Sequence, residues 1–326
     1  MGWQIEWTEP LVIRLPEALT RQEEDRFWES VLLATSRETP REDVTVDMSQ
    51  VRYMTMEQCL LLVKVFRRLR SLDVRLSVTW PRSDPVLRTM HRWGVPGVIE
   101  QAAGPDLAAT FPTEYAARLY SRRTIPDVSG QEVPLMDRHV NTIVHLDLTR
   151  GWTQHVFSPL AVAADSLWSS PVGRLSIGTT DRFSDLSFIA VWETLANIHD
   201  HGGAWGLVGI GSSGVGPHRV LSVSFIDAGS GIAATLREAV PDYAELGDRE
   251  ALALAMRPGI SRYPGEGRGM GLHEASQHTL SAGGGMRVRS GQAVLSVGRR
   301  HSDEYVRNQA DVGGTQITFE YPLPEQ

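Results

Sequence analysis

Glu193, Asn197 and His201 recur at intervals of four in the segment that runs from Ser184 to Gly202. In a helix that interval stacks the three side chains on one face, while Phe188, Trp192 and Leu195 cover a different arc. A carboxylate and a carboxamide would thus project together toward a cavity while the remaining surface packs. The same spacing also describes an ordinary amphipathic helix with a solvated polar stripe. Gly202 and Gly203 mark the expected end of the helix.

A second chemical signal is Asp227-Ala228-Gly229-Ser230-Gly231-Ile232, which follows directly on the strand-like run Arg219 to Ile226. An aspartate at a strand end can accept a hydrogen bond from an adenine amino group, and Gly229 and Gly231 let a ligand approach the backbone closely. A plain Asp-Gly turn is the alternative reading. The third signal is Gly265-Glu266-Gly267-Arg268-Gly269-Met270-Gly271-Leu272, ahead of a helix expected over about 269–281. Alternating glycines followed by a helix N-terminus gather backbone N–H groups suited to phosphate, with Arg268 facing either phosphate or solvent. A surface loop would have the same composition.

These segments together resemble the GHKL ATPase superfamily, the Bergerat-type fold of gyrase, Hsp90, histidine kinases and MutL. Glu193-x-x-x-Asn197-x-x-x-His201-Gly202 is similar to its N box, and Asp227-x-Gly229-x-Gly231-Ile232 to its first glycine box. Gly265-x-Gly267-x-Gly269-x-Gly271-Leu272 is similar to the second glycine box, and Gly314-Thr315-Gln316-Ile317-Thr318-Phe319 to the closing Gly-Thr strand. The resemblance spans roughly residues 140–322 and implies ATP and magnesium as cofactors. It implies that Asn197 ligates the metal, that Glu193 activates the attacking group, and that Asp227 reads adenine with support from the Thr315 hydroxyl. The interval 232–264 would be the ATP lid, with Gly247 and Gly259 as hinges.

The elements needed to hold these groups can also be read. Strands over 204–210 and 219–226 form a hairpin that delivers Asp227, and a strand at Thr142 to Leu146 and a helix within 155–168 precede it. Gly209-Ile210-Gly211-Ser212-Ser213-Gly214 imitates a dinucleotide-binding loop, but a strand follows it where a pyrophosphate would need a helix. A Walker-type phosphate loop is excluded because the sole lysine, Lys64, follows no glycine-rich turn.

The N-terminal part alternates strands (11–15, 44–48, 74–78) with helices: one capped by Thr20 and Glu23, one over 56–70, and one from Pro85 to Trp93 ended by Gly94. With Val46-Asp47-Met48-Ser49, Val51-Arg52-Tyr53-Met54-Thr55 and the stretch Leu87 to Val95, it resembles a STAS domain over roughly residues 8–105. In regulated members of that family a serine at the start of the helix is phosphorylated, and Thr55 stands nearest that place. The other reading of Thr55 is a helix cap, with Gln58 completing a capping box.

The expected architecture is therefore α/β: a small STAS-like domain (1–125), a linker (126–139) and a Bergerat-type two-layer α/β sandwich (140–326). The 326-residue length favours two domains, and a net charge of −7 gives no electrostatic case for nucleic acid. The single cysteine, Cys59, sits in an apolar run, which points to a buried thiol and excludes an intrachain disulfide. Without a leader-like N-terminus or a bilayer-length apolar run, the expected location is cytoplasmic, with no membrane association. The paired resemblances imply a regulatory kinase like the anti-sigma serine kinases, acting on a STAS-domain or sigma-factor-regulatory protein, with homodimerisation compatible with the same plan. An ATP-hydrolysing switch and a non-catalytic nucleotide-binding module are the competing classes.

Overall fold

The computed structural model describes residues 4–6, 11–18, 26–27, 29–31, 43–112, 124–126, 132–134, 142–147, 190, 193–195, 197–198, 205–213, 220–261, 269–298, 301–308, 311 and 313–322. The chain divides into two compact units, Met1–Ile143 and Val144–Gln326.

In the first unit, β1 (Gln4–Glu6), β2 (Leu11–Arg14), β3 (Asp43–Asp47) and β4 (Arg75–Thr79) form one sheet in that order, antiparallel at β1–β2 and parallel beyond. Leu11, Ile13, Val44 and Val46 alternate inward with period two. Helix α1 (Met56–Ser71) buries a continuous run from Gln58 to Phe66, as a helix apolar on most sides must. Its start is set locally. The Gln58 N–H donates to Thr55 Oγ1 at 3.3 Å, and the Thr55 N–H donates to Gln58 Oε1 at 2.9 Å. That reciprocal pair is the capping box. Cys59 is fully buried, and burial pushes its thiol pKa well up, so it is a packing group with no thiolate character. Lys64 is buried on the same helix.

Helices α2 (Asp84–Arg92), α3 (Val95–Ala103) and α4 (Pro105–Ala108) complete the described helices of this unit. Gly94, at φ +81°, separates α2 from α3. Pro96 and Gly97 look like breakers in sequence but occupy the first turn of α3, where a missing N–H is harmless. The interval expected to be a linker carries part of a two-strand antiparallel pair, β5 (Thr124–Pro126) with β6 (Glu132–Pro134). The expected helix after Thr20 is described only at residues 26–27 and 29–31, and its cap lies outside the described residues.

The larger sheet contains β7 (Thr142–Asp147), β8 (Trp205–Ser213), β9 (Val220–Asp227), β10 (Gly285–Ser290), β11 (Ala293–Gly298), β12 (His301–Asn308) and β13 (Thr315–Pro322), in the order β12-β11-β10-β13-β9-β8-β7. Pairing from β8 to β12 is antiparallel throughout. Helices α5 (Ile232–Ala239), α6 (Asp248–Ala255) and α7 (Gly271–Ser281) follow β9 in the chain. One face of the sheet presents Val208, Val223, Phe225, Val288, Leu295, Ile317 and Phe319 to Ala190, Leu195, Ile198, Leu252 and Ala275 from helical segments. The molecule is thus α/β, with a largely parallel sheet and an antiparallel one. The expected helix within 155–168 lies outside the described residues.

Candidate functional site

Residues 190, 193–195 and 197–198 are helical, and the Thr194 hydroxyl donates to the Ala190 carbonyl at 2.8 Å, one turn back. Ala190, Leu195 and Ile198 enter the core, which turns Glu193 and Asn197 to another side of the helix. Both meet the start of α7. A Cβ on Gly271 would lie 2.8 Å from Glu193 Oε2 and 3.3 Å from Asn197 Nδ2, so this position has room for hydrogen alone unless those side chains move. The α7 N-cap position, Met270, makes no side-chain cap bond. Burial, and secondarily the charge of Glu274, holds the Glu193 carboxyl above its ordinary pKa.

Asp227 closes β9, with its side chain buried. Its Oδ1 accepts the N–H of Gly229 at 2.8 Å and that of Thr315 at 3.0 Å. The second bond depends on Gly314, whose φ of +59° turns the Thr315 amide toward the carboxylate. A Cβ at Gly314 would lie 2.7 Å from Asp227 Oδ1 and would also strike the Asp227 carbonyl. Thr315 thus meets Asp227 through its backbone N–H, and its hydroxyl is directed elsewhere. That hydroxyl lies 3.5 Å from Ser290 Oγ instead.

Ser290 is a residue the motif reading missed. It ends β10, and its hydroxyl accepts the Ile232 N–H at 2.7 Å, fastening the start of α5. Gly231, at φ +87°, would carry a Cβ 2.8 Å from the same oxygen and 3.2 Å from the Gly314 carbonyl. Aspartate, both glycine positions and the Gly-Thr pair are thus knitted at one end of the sheet. The alternation Met286-x-Val288-x-Ser290 was the available clue, because it puts Ser290 on the core face.

Gly269 stands where the chain crosses itself. The Gly259 N–H donates to its carbonyl at 3.0 Å, and a Cβ there would lie 2.6 Å from the Ile260 carbonyl oxygen. Gly265, Gly267, Arg268 and His201 lie outside the described residues. Most of the interval expected to act as a lid is docked. Ala233, Leu236, Ala251 and Ala255 form a cluster of their own, while Leu252 and Met256 join the sheet core. Asp248 secures this segment, with Oδ1 accepting from Arg237 at 2.9 Å and Oδ2 accepting the Gln292 N–H at 2.7 Å. Gly247 has φ −67°, ordinary for any residue, whereas Gly259 has φ +82°. The packing follows from amphipathicity, since α5 and α6 each bury an apolar face.

Ile232 and Leu272, the residues that open α5 and continue α7, both pack against that same small cluster. Among the described residues no group of three His, Cys, Asp or Glu side chains is placed to hold a metal. No described helix is long and apolar enough to cross a membrane. Comparison with protein-family models and with curated proteins returns no match.

Proposed function

We propose that the second unit binds ATP with magnesium in the manner of GHKL (Bergerat-fold) domains, and that the chain is a regulatory protein that transfers or hydrolyses the γ-phosphate to control a protein partner. The observation that carries this reading is the convergence of Glu193 and Asn197 on Gly271 at the start of α7, taken together with a separately braced Asp227 at the end of β9. The two N–H donors to Oδ1 fix the plane of the Asp227 carboxylate, and a fixed acceptor shielded from water selects an exocyclic amine. The first turn of α7 offers N–H groups and its dipole to phosphate.

Glu193 and Glu274 put negative charge close to that turn, which disfavours bare phosphates. Asn197 contributes an oxygen that suits magnesium, an ion held by few protein groups plus phosphates rather than by a full protein cage. When bound, the ion neutralises phosphate charge. A carboxyl whose pKa is raised is the stronger base, so Glu193 is suited to accept the proton of an attacking hydroxyl or water. As that proton moves to Glu193, the new oxygen–phosphorus bond forms, the bond to the β,γ-bridging oxygen breaks, and ADP leaves. The first unit is read as STAS-like, and a protein partner of the sigma-regulatory kind follows from that pairing. Thr55 is used as a helix cap, which favours a structural role for it over a phosphorylated one.

Incubation of the full chain with γ-labelled ATP and magnesium, with and without STAS-domain proteins, tests the reading. Label on protein selects the kinase and free phosphate the ATPase. Binding without turnover leaves a nucleotide-responsive module, and absence of binding contradicts the proposal.

A further inference from the structure

A cavity of about 400 Å³ opens in the first unit, lined by Ser49, Gln50, Val51, Arg52, Arg82 and Ser83. These residues belong to the two loops that leave the carboxyl ends of the parallel strands β3 and β4, which is where open α/β sheets place their ligands. The volume is in the range of small-molecule sites.

Backbone bonds hold the first wall in place. The Met48 N–H donates to the Thr79 carbonyl at 2.8 Å, the Val51 N–H to the Met48 carbonyl at 2.9 Å, and the Arg52 N–H to the Glu17 carbonyl at 2.8 Å. Asp47 is occupied below the loop, where it accepts the Ser49 N–H at 2.9 Å and faces Arg14 at 3.4 Å. On the second wall, Ser83 starts α2 through its carbonyl, which accepts the N–H of Val86 and of Leu87 at 3.1 Å each. Its hydroxyl makes no cap bond. Arg82 forms no ion pair among the described residues, and Arg52 meets only Glu17, at 3.5 Å, with both side chains largely in water. Neither Glu17 nor the neighbouring Asp84 lines the cavity.

The residues of the lining thus carry two guanidinium groups, two hydroxyls and one carboxamide. Guanidinium forks and hydroxyls match the oxygens of a tetrahedral dianion. We infer that this cavity binds a phosphate group, either inorganic phosphate or the terminus of a small phosphate monoester. The inference is independent of nucleotide binding by the second unit.

The test is a titration of the full chain with inorganic phosphate and, separately, with glycerol 3-phosphate, following backbone amide resonances of Ser49 and Ser83. Saturable shifts at both residues are expected. Tighter binding of the ester assigns a metabolite site, and tighter binding of the free ion assigns a phosphate site. Arg82→Gln and Arg52→Gln remove exposed side chains without touching the backbone bonds. Each is expected to weaken binding about tenfold or more, as loss of a charge-assisted hydrogen bond does. Absence of saturable shifts at Ser49 and Ser83, or equal affinity in the double variant, would overturn the inference.

Discussion

The two carboxylates of the proposed nucleotide site are held in different ways. Asp227 is buried with two backbone N–H groups directed at one oxygen, an arrangement that ties β9 to β13. Glu193 is only partly buried, and that burial and a like-charged neighbour work against its ionisation. The first carboxylate strengthens the fold, and the second is held at some cost to it. On the proposed reading, the residue assigned to recognition and the residue assigned to chemistry thus differ in what they contribute to stability.

Breaking the braced half has the largest expected effect. Asp227→Ala leaves two N–H groups without their acceptor, at about 1–3 kcal/mol each, so unfolding in urea is expected to show a loss of about 2–6 kcal/mol. Asp227→Asn retains an Oδ1 acceptor and is expected to lose clearly less; equal losses would mean that the two bonds do not brace the strand end.

Gly271→Ala probes the other half with the opposite signature. The atoms its Cβ meets are the ends of the Glu193 and Asn197 side chains, which can yield, and no left-handed φ at Gly271 opposes alanine. The variant is expected to unfold at the wild-type midpoint or above it while losing magnesium-dependent nucleotide binding. Wild-type binding in a stable Gly271→Ala protein would separate α7 from the site.

A smaller effect sharpens the charge argument. Because the folded-state pKa of Glu193 is raised, its protonated form favours the fold, and that contribution is lost as pH rises from the unfolded carboxylate range through the folded pKa. Glu193→Gln is expected to raise the melting temperature slightly at neutral pH and to match wild type under acid conditions. Melting curves of both proteins across pH check the sign, and a variant that is less stable at neutral pH contradicts it. The smallest effect belongs to Thr315→Ala, because Asp227 is served by the Thr315 backbone. A loss under about 1 kcal/mol is expected in the same urea assay, and a loss as large as that of Asp227→Ala would assign the support to the hydroxyl.

Local chemistry was the part of this molecule most legible in sequence. The Thr55–Gln58 capping box, the buried Cys59 and the hairpin of β8 with β9 each follow from spacing within a few residues. The hairpin also removes the glycine-rich Gly209 to Gly214 stretch from any dinucleotide reading. Positions that depend on distant partners were not legible. Ser290 matters because Ile232 is folded against it from 58 residues away, and the docking of α5 and α6 depends on Asp248 reaching Gln292. The role of Gly314 likewise appears only once β13 lies beside β9. The α3 helix was hidden by Pro96 and Gly97, whose breaker character vanishes in a first turn.

Calorimetric titration of ATP with magnesium into wild type and Asp227→Asn tests the central claim most directly. The expected result is saturable binding to wild type and an affinity about tenfold to a hundredfold lower in the variant, the worth of a hydrogen bond to a charged acceptor. No heat with wild type, or the same Kd for both folded proteins, would contradict the assignment of an adenine nucleotide to this site.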